Sequence, residues 1–146
     1  MTDSYAENLL IEKFKELDGL EVVNVGTEEE PDFEYPEVAF PNQVFTRPSD
    51  GYWYELFFIP AQPVQIELGT TARSRWIGIL QVNVCVPKNS GTVPLNDRYD
   101  NIAKLFRSGL VFEGIRIVRT YRTSALDDGD YYVLPVTIEW QADLDR

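Results

Sequence analysis

The chain has 146 residues, of which 44% are hydrophobic and 25% charged, and its formal net charge is −11. This composition is typical of a folded protein, and the length suits a single domain over residues 1–146. A strongly acidic chain repels phosphate backbones, so we expect no nucleic-acid specificity. No apolar run approaches the roughly 20 residues that span a bilayer, and residues 1–5 lack signal-peptide character, so we expect neither membrane insertion nor secretion.

The negative charge is unevenly distributed. Residues 1–37 hold twelve acids against Lys13 and Lys15, whereas the other 109 residues hold twelve acids and eleven bases. One interpretation is a solvated acidic face. The other is a charge dipole that matters when copies of the chain pack head to tail.

The first predicted element is a helix. Ser4 and Glu7 have the spacing of a capping box, in which both side chains satisfy backbone N–H groups of the first turn. Gly19 follows the helix and suits its C-terminal cap. An apolar stripe at helical spacing lies between these signals: Ala6, Leu9, Leu10, Phe14 and Leu17. A short strand is expected over residues 20–25.

Residues 26–50 show no sustained period and contain four prolines together with Glu28, Glu29 and Glu30. We predict a long, flexible, acidic and proline-rich surface loop with a short extended piece near residues 38–40. Loops of this length are unusual in compact domains and are often functional. An ordinary solvated loop and an arm that becomes ordered against a neighbour both remain open, and the three glutamates are candidate interface residues.

Three β-segments are expected in the middle of the chain. Residues 53–59 are apolar on both faces, which predicts a strand covered on both sides. Residues 64–68 alternate between apolar and polar side chains, as a half-buried strand does. A polar connector over residues 69–75 then leads into the longest strand, residues 76–86, which Pro87 ends.

The last third of the chain predicts a second helix over residues 95–107 and two strands, over residues 115–122 and 131–141. Together with the earlier segments, this order predicts an α+β fold in which two helices pack on a mostly antiparallel β-sheet.

The sequence offers little for catalysis. It has no histidine, which removes the commonest general base and the imidazole ligand of most catalytic zinc sites. No phosphate-binding or nucleophile-elbow motif occurs. We therefore expect no enzyme activity, no catalytic, cofactor-binding or metal-binding residues, and no cofactor.

Three weaker signals have ordinary structural explanations. Asp127, Asp128 and Asp130 surround Gly129 and could hold a divalent cation, but they lack EF-hand spacing, and Asp-Gly favours a hairpin turn. Cys85, the one cysteine, lies among apolar residues and predicts a buried structural thiol in a reducing compartment. The aromatic residues 52–58 are expected in the core rather than in a ligand pocket.

Arg73 and Arg75 form the most suggestive charged pair, since they flank Ser74 on the expected polar connector. They could be solvated loop residues or an ion-pairing contact for the acidic surface of another copy. We retain Arg73 and Arg75 as candidate interface residues.

Several segments, in this order, resemble the phage tail terminator family. They are VAFPNQVFTRP at residues 38–48, YELFFIPA at 54–61, WIGILQVNVCVP at 76–87 and FRSG at 106–109. The third is the most specific, and the resemblance covers roughly residues 2–142.

The resemblance implies a subunit of a homo-oligomeric ring, typically a hexamer, at the end of a bacteriophage or prophage tail. Such a ring ends polymerisation of the tail tube and meets head-completion or connector proteins. The expected partners are therefore the tail tube protein and a connector protein. The expected location is the virion tail, and the host bacterial cytoplasm during assembly. There are two alternatives. One is another neck or tail completion protein, and the other is a small-ligand-binding module with Trp53, Tyr54 and Trp76 as pocket walls.

Overall fold

The computed structural model describes residues 3–43, 45, 51–61, 64–65, 73–89 and 91–145. Within them, the chain is mostly β, with ten strands and two short helices, α1 (Asp3–Phe14) and α2 (Val93–Leu105). The predicted α+β fold, with two helices as the second layer of the domain, is therefore wrong, because the fold is β-rich and the two short helices are minor elements of it. The prediction failed because the strands extend further than their most apolar parts and because residues 26–50 contribute strands of their own.

Short strands surround four long ones. The strands are β1 (Val23–Asn24), β2 (Phe33–Glu34), β3 (Val38–Ala39), β4 (Trp53–Pro60), β5 (Val64–Gln65), β6 (Arg73–Pro87), β7 (Val111–Phe112), β8 (Ile115–Arg122), β9 (Leu126–Asp128) and β10 (Tyr131–Asp145). The main sheet is curled and runs in the order β3-β4-β6-β10-β8-β7, with β5 beside β6 and β9 beside β10. Strands β1 and β2 form a separate antiparallel hairpin.

The centre of the sheet is the antiparallel pair of β6 and β10, each 15 residues long. Their register runs without a break from Tyr131 opposite Pro87 to Asp145 opposite Arg73. The expected strand at residues 76–86 thus starts three residues earlier, because the pairing with β10 continues past the apolar run.

The main core lies on one side of this sheet, which we call the inner face. The apolar stripes of both helices are buried there with alternate residues of β4, β6, β8 and β10. The fully buried members include Leu10, Phe14, Leu80, Ile102 and Ile138. The stripe predicted from helical spacing at residues 6–17 is largely buried, although α1 begins at Asp3, so Ser4 lies inside its first turn.

Gly78 makes room for the largest side chain of the inner face. A Cβ at Gly78 would lie 2.8 Å from Cζ2 of Trp140, its cross-strand partner. The Trp140 indole covers the glycine and stacks on Phe58, with ring centroids 5.8 Å apart. The glycine in this long strand is therefore a packing requirement.

The opposite side of the sheet, the outer face, is covered at one end. There, Trp53, Cys85 and Val133 form a small buried cluster with Phe45 and Tyr131 packed against it. Burial of the Cys85 thiol, predicted from its apolar neighbours, is confirmed, and its Sγ lies 3.6 Å from Oε1 of Glu55.

The predicted loop over residues 26–50 is in part a hairpin strand, β2, and an edge strand, β3. Strand β3 pairs in parallel with β4 over two residues, Val38 with Tyr54 and Ala39 with Glu55. Residues 44 and 46–50 lie outside the described residues.

Candidate assembly surface

The β1–β2 hairpin is closed by a compact polar turn. The backbone N–H of Val25 donates to the carbonyl oxygen of Asp32 at 2.8 Å. The Asn24 side chain crosses the turn, and its Oδ1 accepts from the N–H groups of Gly26 and Asp32 at 3.0 and 3.1 Å. A Cβ at Gly26 would lie 2.4 Å from the Glu30 carbonyl oxygen, so glycine is required at this position.

Glu28, Glu29 and Glu30, the acidic candidates from the sequence, occupy the exposed tip of this hairpin. Thr27 fixes the tip, because its Oγ1 accepts from the Glu30 N–H at 2.9 Å and its own N–H donates to the Glu30 carbonyl oxygen. The three carboxylates are therefore presented together on a defined turn.

The hairpin also exposes apolar side chains. Val23 and Val25 are about half exposed, and Phe33 is 54% exposed. Two-stranded hairpins are at best marginally stable alone, and apolar side chains in them gain stability only when something covers them. The hairpin thus combines a negatively charged tip with uncovered apolar stem residues.

The base of the hairpin is held by a half-buried polar cluster that the sequence did not predict. Glu21 precedes the hairpin and Glu37 follows it. The Glu37 carboxyl interacts with Glu21 and with the Arg98 guanidinium of α2, which stacks on the Tyr52 ring. Burial raises the pKa of the Glu37 carboxyl above its usual range, and the Glu21 charge adds to this, while Arg98 acts in the opposite direction. No short motif joins these residues, which come from four parts of the chain.

The outer face exposes apolar residues beyond the Trp53 cluster. Phe57 is 46% exposed and Ile59 is 49% exposed, so the prediction that residues 53–59 are covered on both sides is wrong for the second half of β4. Ile59 pairs with Ile79 across β6, and Ile77 is the next residue of β6 on that face. In the middle of these strands, Leu56 and Leu80 on the inner face are buried, whereas Phe57 and Ile59 on the outer face are exposed.

Beside these residues, a groove of about 530 Å³ opens between β4 and the loop after β3. Its walls include Phe40, Pro41 and Phe57, and its floor includes the amides of Gln81 and Asn83, which hydrogen bond to each other at 3.3 Å. The groove is open rather than enclosed, which suits a protein segment better than a small molecule.

Strand β8 places arginines next to this apolar surface. Arg119 donates two hydrogen bonds to the Glu139 carboxylate, at 2.7 and 3.1 Å, and these bonds lower the pKa of Glu139. A bulge in β8 lies between Arg119 and Ile117, and it holds Val118, which is 40% exposed. Arg116 stands opposite Gln141, which stands opposite Ile77, so Arg116 belongs to the same face.

Arg73 and Arg75 are not on a polar connector, as the sequence suggested, but in the first residues of β6. By register, Arg73 stands opposite Asp145 and Arg75 opposite Asp143, and Arg75 also pairs with Val64 of β5. By strand register, the structure therefore places acidic positions of the same chain opposite both arginines. Residues 69–72 of the predicted connector, and residues 66–68 of the strand predicted before it, lie outside the described residues.

The three aspartates around Gly129, considered as a cation site from the sequence, have a structural role in a hairpin. Asp127 and Asp128 belong to β9, and Asp130 lies in the turn to β10, so the predicted hairpin is confirmed. Asp127 pairs with Lys88, Oδ2 to Nζ at 3.1 Å. Among the described residues, no group of three or more His, Cys, Asp or Glu side chains could hold a metal ion.

Trp53, Tyr54 and Trp76 do not form one pocket. Trp53 and Tyr54 are adjacent in a strand and therefore point to opposite faces of the sheet. Trp53 packs edge-on against Tyr131, while Tyr54 packs against Phe14 in the main core, where burial raises the pKa of its hydroxyl. Neither helix of the described structure is long and apolar enough to cross a membrane.

Comparison with known proteins identifies the chain's relatives. The family model described as phage tail terminator protein matches residues 27–140. A solved structure whose name states no function is 22% identical, with a TM-score of 0.59 over 73% of this chain and 78% of that chain, and it supports the fold alone. A search of curated proteins finds no significant match.

Proposed function

The chain belongs to the phage tail terminator family, and we propose that it is the subunit of a ring that ends tail-tube polymerisation and joins the tail to the head. The family match carries the proposal, and it confirms the resemblance to this family. Family membership supports a location in the phage tail and a structural role. We further propose that the ring is a hexamer, that it joins the tail to the head, and that the protein has no enzyme activity.

The open outer face supports an assembly role. Phe57 and Ile59, each nearly half exposed, adjoin Ile79 on the same side of the sheet. Contiguous exposed apolar residues on a folded protein mark interaction sites more often than scattered ones do. A ring subunit needs such surfaces because each copy must contact two neighbours as well as the tube below and the connector above.

The partners in this proposal are other copies of the chain, the tail tube protein and a head-completion or connector protein. The complete ring would reside in the virion tail and would assemble in the cytoplasm of the bacterial host. A ring requires contacts between non-identical surfaces, since two-fold contacts alone close into dimers. The uneven charge of the chain suits such contacts.

Oligomeric state and tail length test the proposal. Multi-angle light scattering and negative-stain microscopy, with the protein alone and with purified tail tubes, should reveal a closed ring, either free or at tube ends. Adding the protein to polymerising tube protein should stop elongation. A protein that stays monomeric with tubes present and leaves their length unchanged would refute the proposal.

A variant and a matched control test whether the outer face is needed for ring formation. Phe57→Ser together with Ile59→Ser should abolish ring formation while the monomer stays folded, because both side chains are half exposed. Val93→Ser is the control, since Val93 is 66% exposed at the start of α2, away from this face. Equal assembly by both variants would show that the outer face is not a contact surface.

A ligand-binding module was the alternative from the sequence, but no observation favours it. Trp53 and Tyr54, two of the three aromatic residues expected to form its walls, point to opposite faces of the sheet. Another neck or tail completion protein would also bind the connector but would leave tube elongation unchanged, so the tube-length assay separates the two roles.

A further inference from the structure

The β1–β2 hairpin and the β8 side of the outer face have complementary chemistry. Residues 21–37 contain seven acids and no base, whereas residues 107–122 contain four arginines and one acid, Glu113. The hairpin adds exposed Val23, Val25 and Phe33 to its acidic tip.

On the other surface, apolar residues lie next to basic ones. Ile59, Ile79, Glu139 and Arg119 form one cross-strand row, and Ile77, Gln141 and Arg116 form the neighbouring row. Val118 lies close to this surface, beside Ile77 and Ile79.

We propose that the β1–β2 hairpin of one copy is an arm that docks on the outer face of the next copy, with its glutamate tip against Arg116 and Arg119 and its apolar stem against Val118, Ile77 and Ile79. This inference rests on the proposed function, because it requires that copies of the chain assemble. It names the two surfaces that meet.

The arrangement of the elements favours contact between copies. On α1, Lys15 lies over the rings of Tyr35 and Phe40, 5.3 and 5.5 Å from their centroids, on the hairpin side. Lys13 lies over Phe112 of β7, at 5.7 Å, on the other side. A helix is about 10 Å or more across with its side chains, so α1 separates the hairpin from the β7–β8 end within one copy. The hairpin leads into β3 at one end of the main sheet, whereas β8 lies near the other end, as a head-to-tail contact requires.

Arg119 can bind the arm without losing its present partner. It uses two N–H groups for Glu139, and a guanidinium has five donors. Its side chain is 63% exposed. The Arg98 cluster at the base of the hairpin supports the arm at its root, so less freedom is lost when the arm docks than for an unstructured loop.

Pairwise cross-linking tests the contact directly. Val25→Cys and Val118→Cys are prepared as separate full-length proteins, each keeping the buried Cys85, and are mixed and treated with a short bismaleimide. The mixture should give a cross-linked dimer, whereas each variant alone should give little. Val93→Cys is the matched control for Val118→Cys and should not cross-link to Val25→Cys.

Charge reversal gives a second, independent readout. Arg116→Glu should weaken assembly by about tenfold or more, as loss of a close interfacial charge pair does. Lys104→Glu changes the net charge equally on the exposed side of α2 and should leave assembly near wild type. Reversing only Glu29 to lysine should restore part of the assembly when combined with Arg116→Glu, because the remaining glutamates still face Arg119.

The outcomes separate this inference from the proposed function. Rings that form normally without cross-linking between positions 25 and 118, or that cross-link between two copies of position 25, would overturn the arm contact and leave the ring intact. Equal weakening by Arg116→Glu and Lys104→Glu would likewise overturn it. Absence of any ring for the wild-type protein, with or without tail tubes, would overturn both.

Discussion

The two faces of the main sheet are built from the same strands but differ in what covers them. Along β4, Leu56 on the inner face is buried, whereas Phe57 and Ile59 on the outer face are nearly half exposed. Both faces carry large apolar residues, so hydrophobicity alone does not distinguish them. Within the described residues, both helices bury their apolar residues against the inner face and neither packs on the outer face, which assigns stability to the inner face and contacts with other molecules to the outer face.

The strongest test of this comparison is a pair of truncations within β4. Leu56→Ala should lower the free energy of unfolding by about 2–5 kcal/mol, because it leaves a cavity in a closely packed core. Ile59→Ala should lower it by about 1 kcal/mol or less, because solvent already reaches that side chain. Urea unfolding of the monomer measures both, and similar losses would show that the outer face belongs to the core.

The contact between Gly78 and Trp140 tests how tightly the inner face is packed. Gly78→Ala places a methyl group within about 3 Å of the Trp140 indole and the Ile59 carbonyl oxygen. We expect a loss of about 1–3 kcal/mol, as for other overpacked sites. Thermal unfolding measures it, and Gly78→Ala combined with Trp140→Phe should recover part of the loss. An unchanged melting temperature for Gly78→Ala would contradict the packing described here.

A smaller effect is expected at the edge of the core, where Glu37 is half buried. Burial raises its folded-state pKa above the unfolded value, so this group opposes folding most strongly above the folded pKa, and the opposition disappears as pH falls below the unfolded pKa. Glu37→Gln should therefore stabilise the protein at neutral pH and make little difference near pH 4.

Glu34→Gln provides the control for Glu37→Gln, because Glu34 is exposed on β2. Unfolding free energies of both variants across this pH range provide the measurement. A Glu37→Gln variant that is less stable than wild type at neutral pH would show that attraction to Arg98 outweighs the cost of burial.

The smallest effect is expected for Arg73 and Arg75. Cross-strand pairs of opposite charge contribute roughly 0.2–1 kcal/mol, so Arg73→Ala with Arg75→Ala should cost the monomer little, despite Asp145 and Asp143 in register. If the arginines are also an assembly contact, as the sequence suggested, ring formation should weaken much more than stability. Wild-type assembly by the double variant would remove them from the interface.

Several features followed from the sequence because their causes are local. The helical stripe at residues 6–17, the β-segments at residues 53–59 and 76–86, and the hairpin around Gly129 depend on periodicity and turn chemistry within a few residues. The burial of Cys85 followed from its apolar neighbours. The family resemblance also followed from contiguous segments, and the family match confirms it.

The tertiary structure decided which faces of the strands are exposed and can contact other molecules. Alternation predicts that a strand has two faces, but whether a helix covers the second face depends on elements distant in sequence, so the exposure of Phe57 and Ile59 was missed. Pairing between distant segments also explains why the strand content was underestimated. Residues 73–75 are part of a strand because they pair with residues 143–145, at the far end of the chain. The hairpin base needed Glu21, Glu37, Tyr52 and Arg98 to meet, and only folding brings them together.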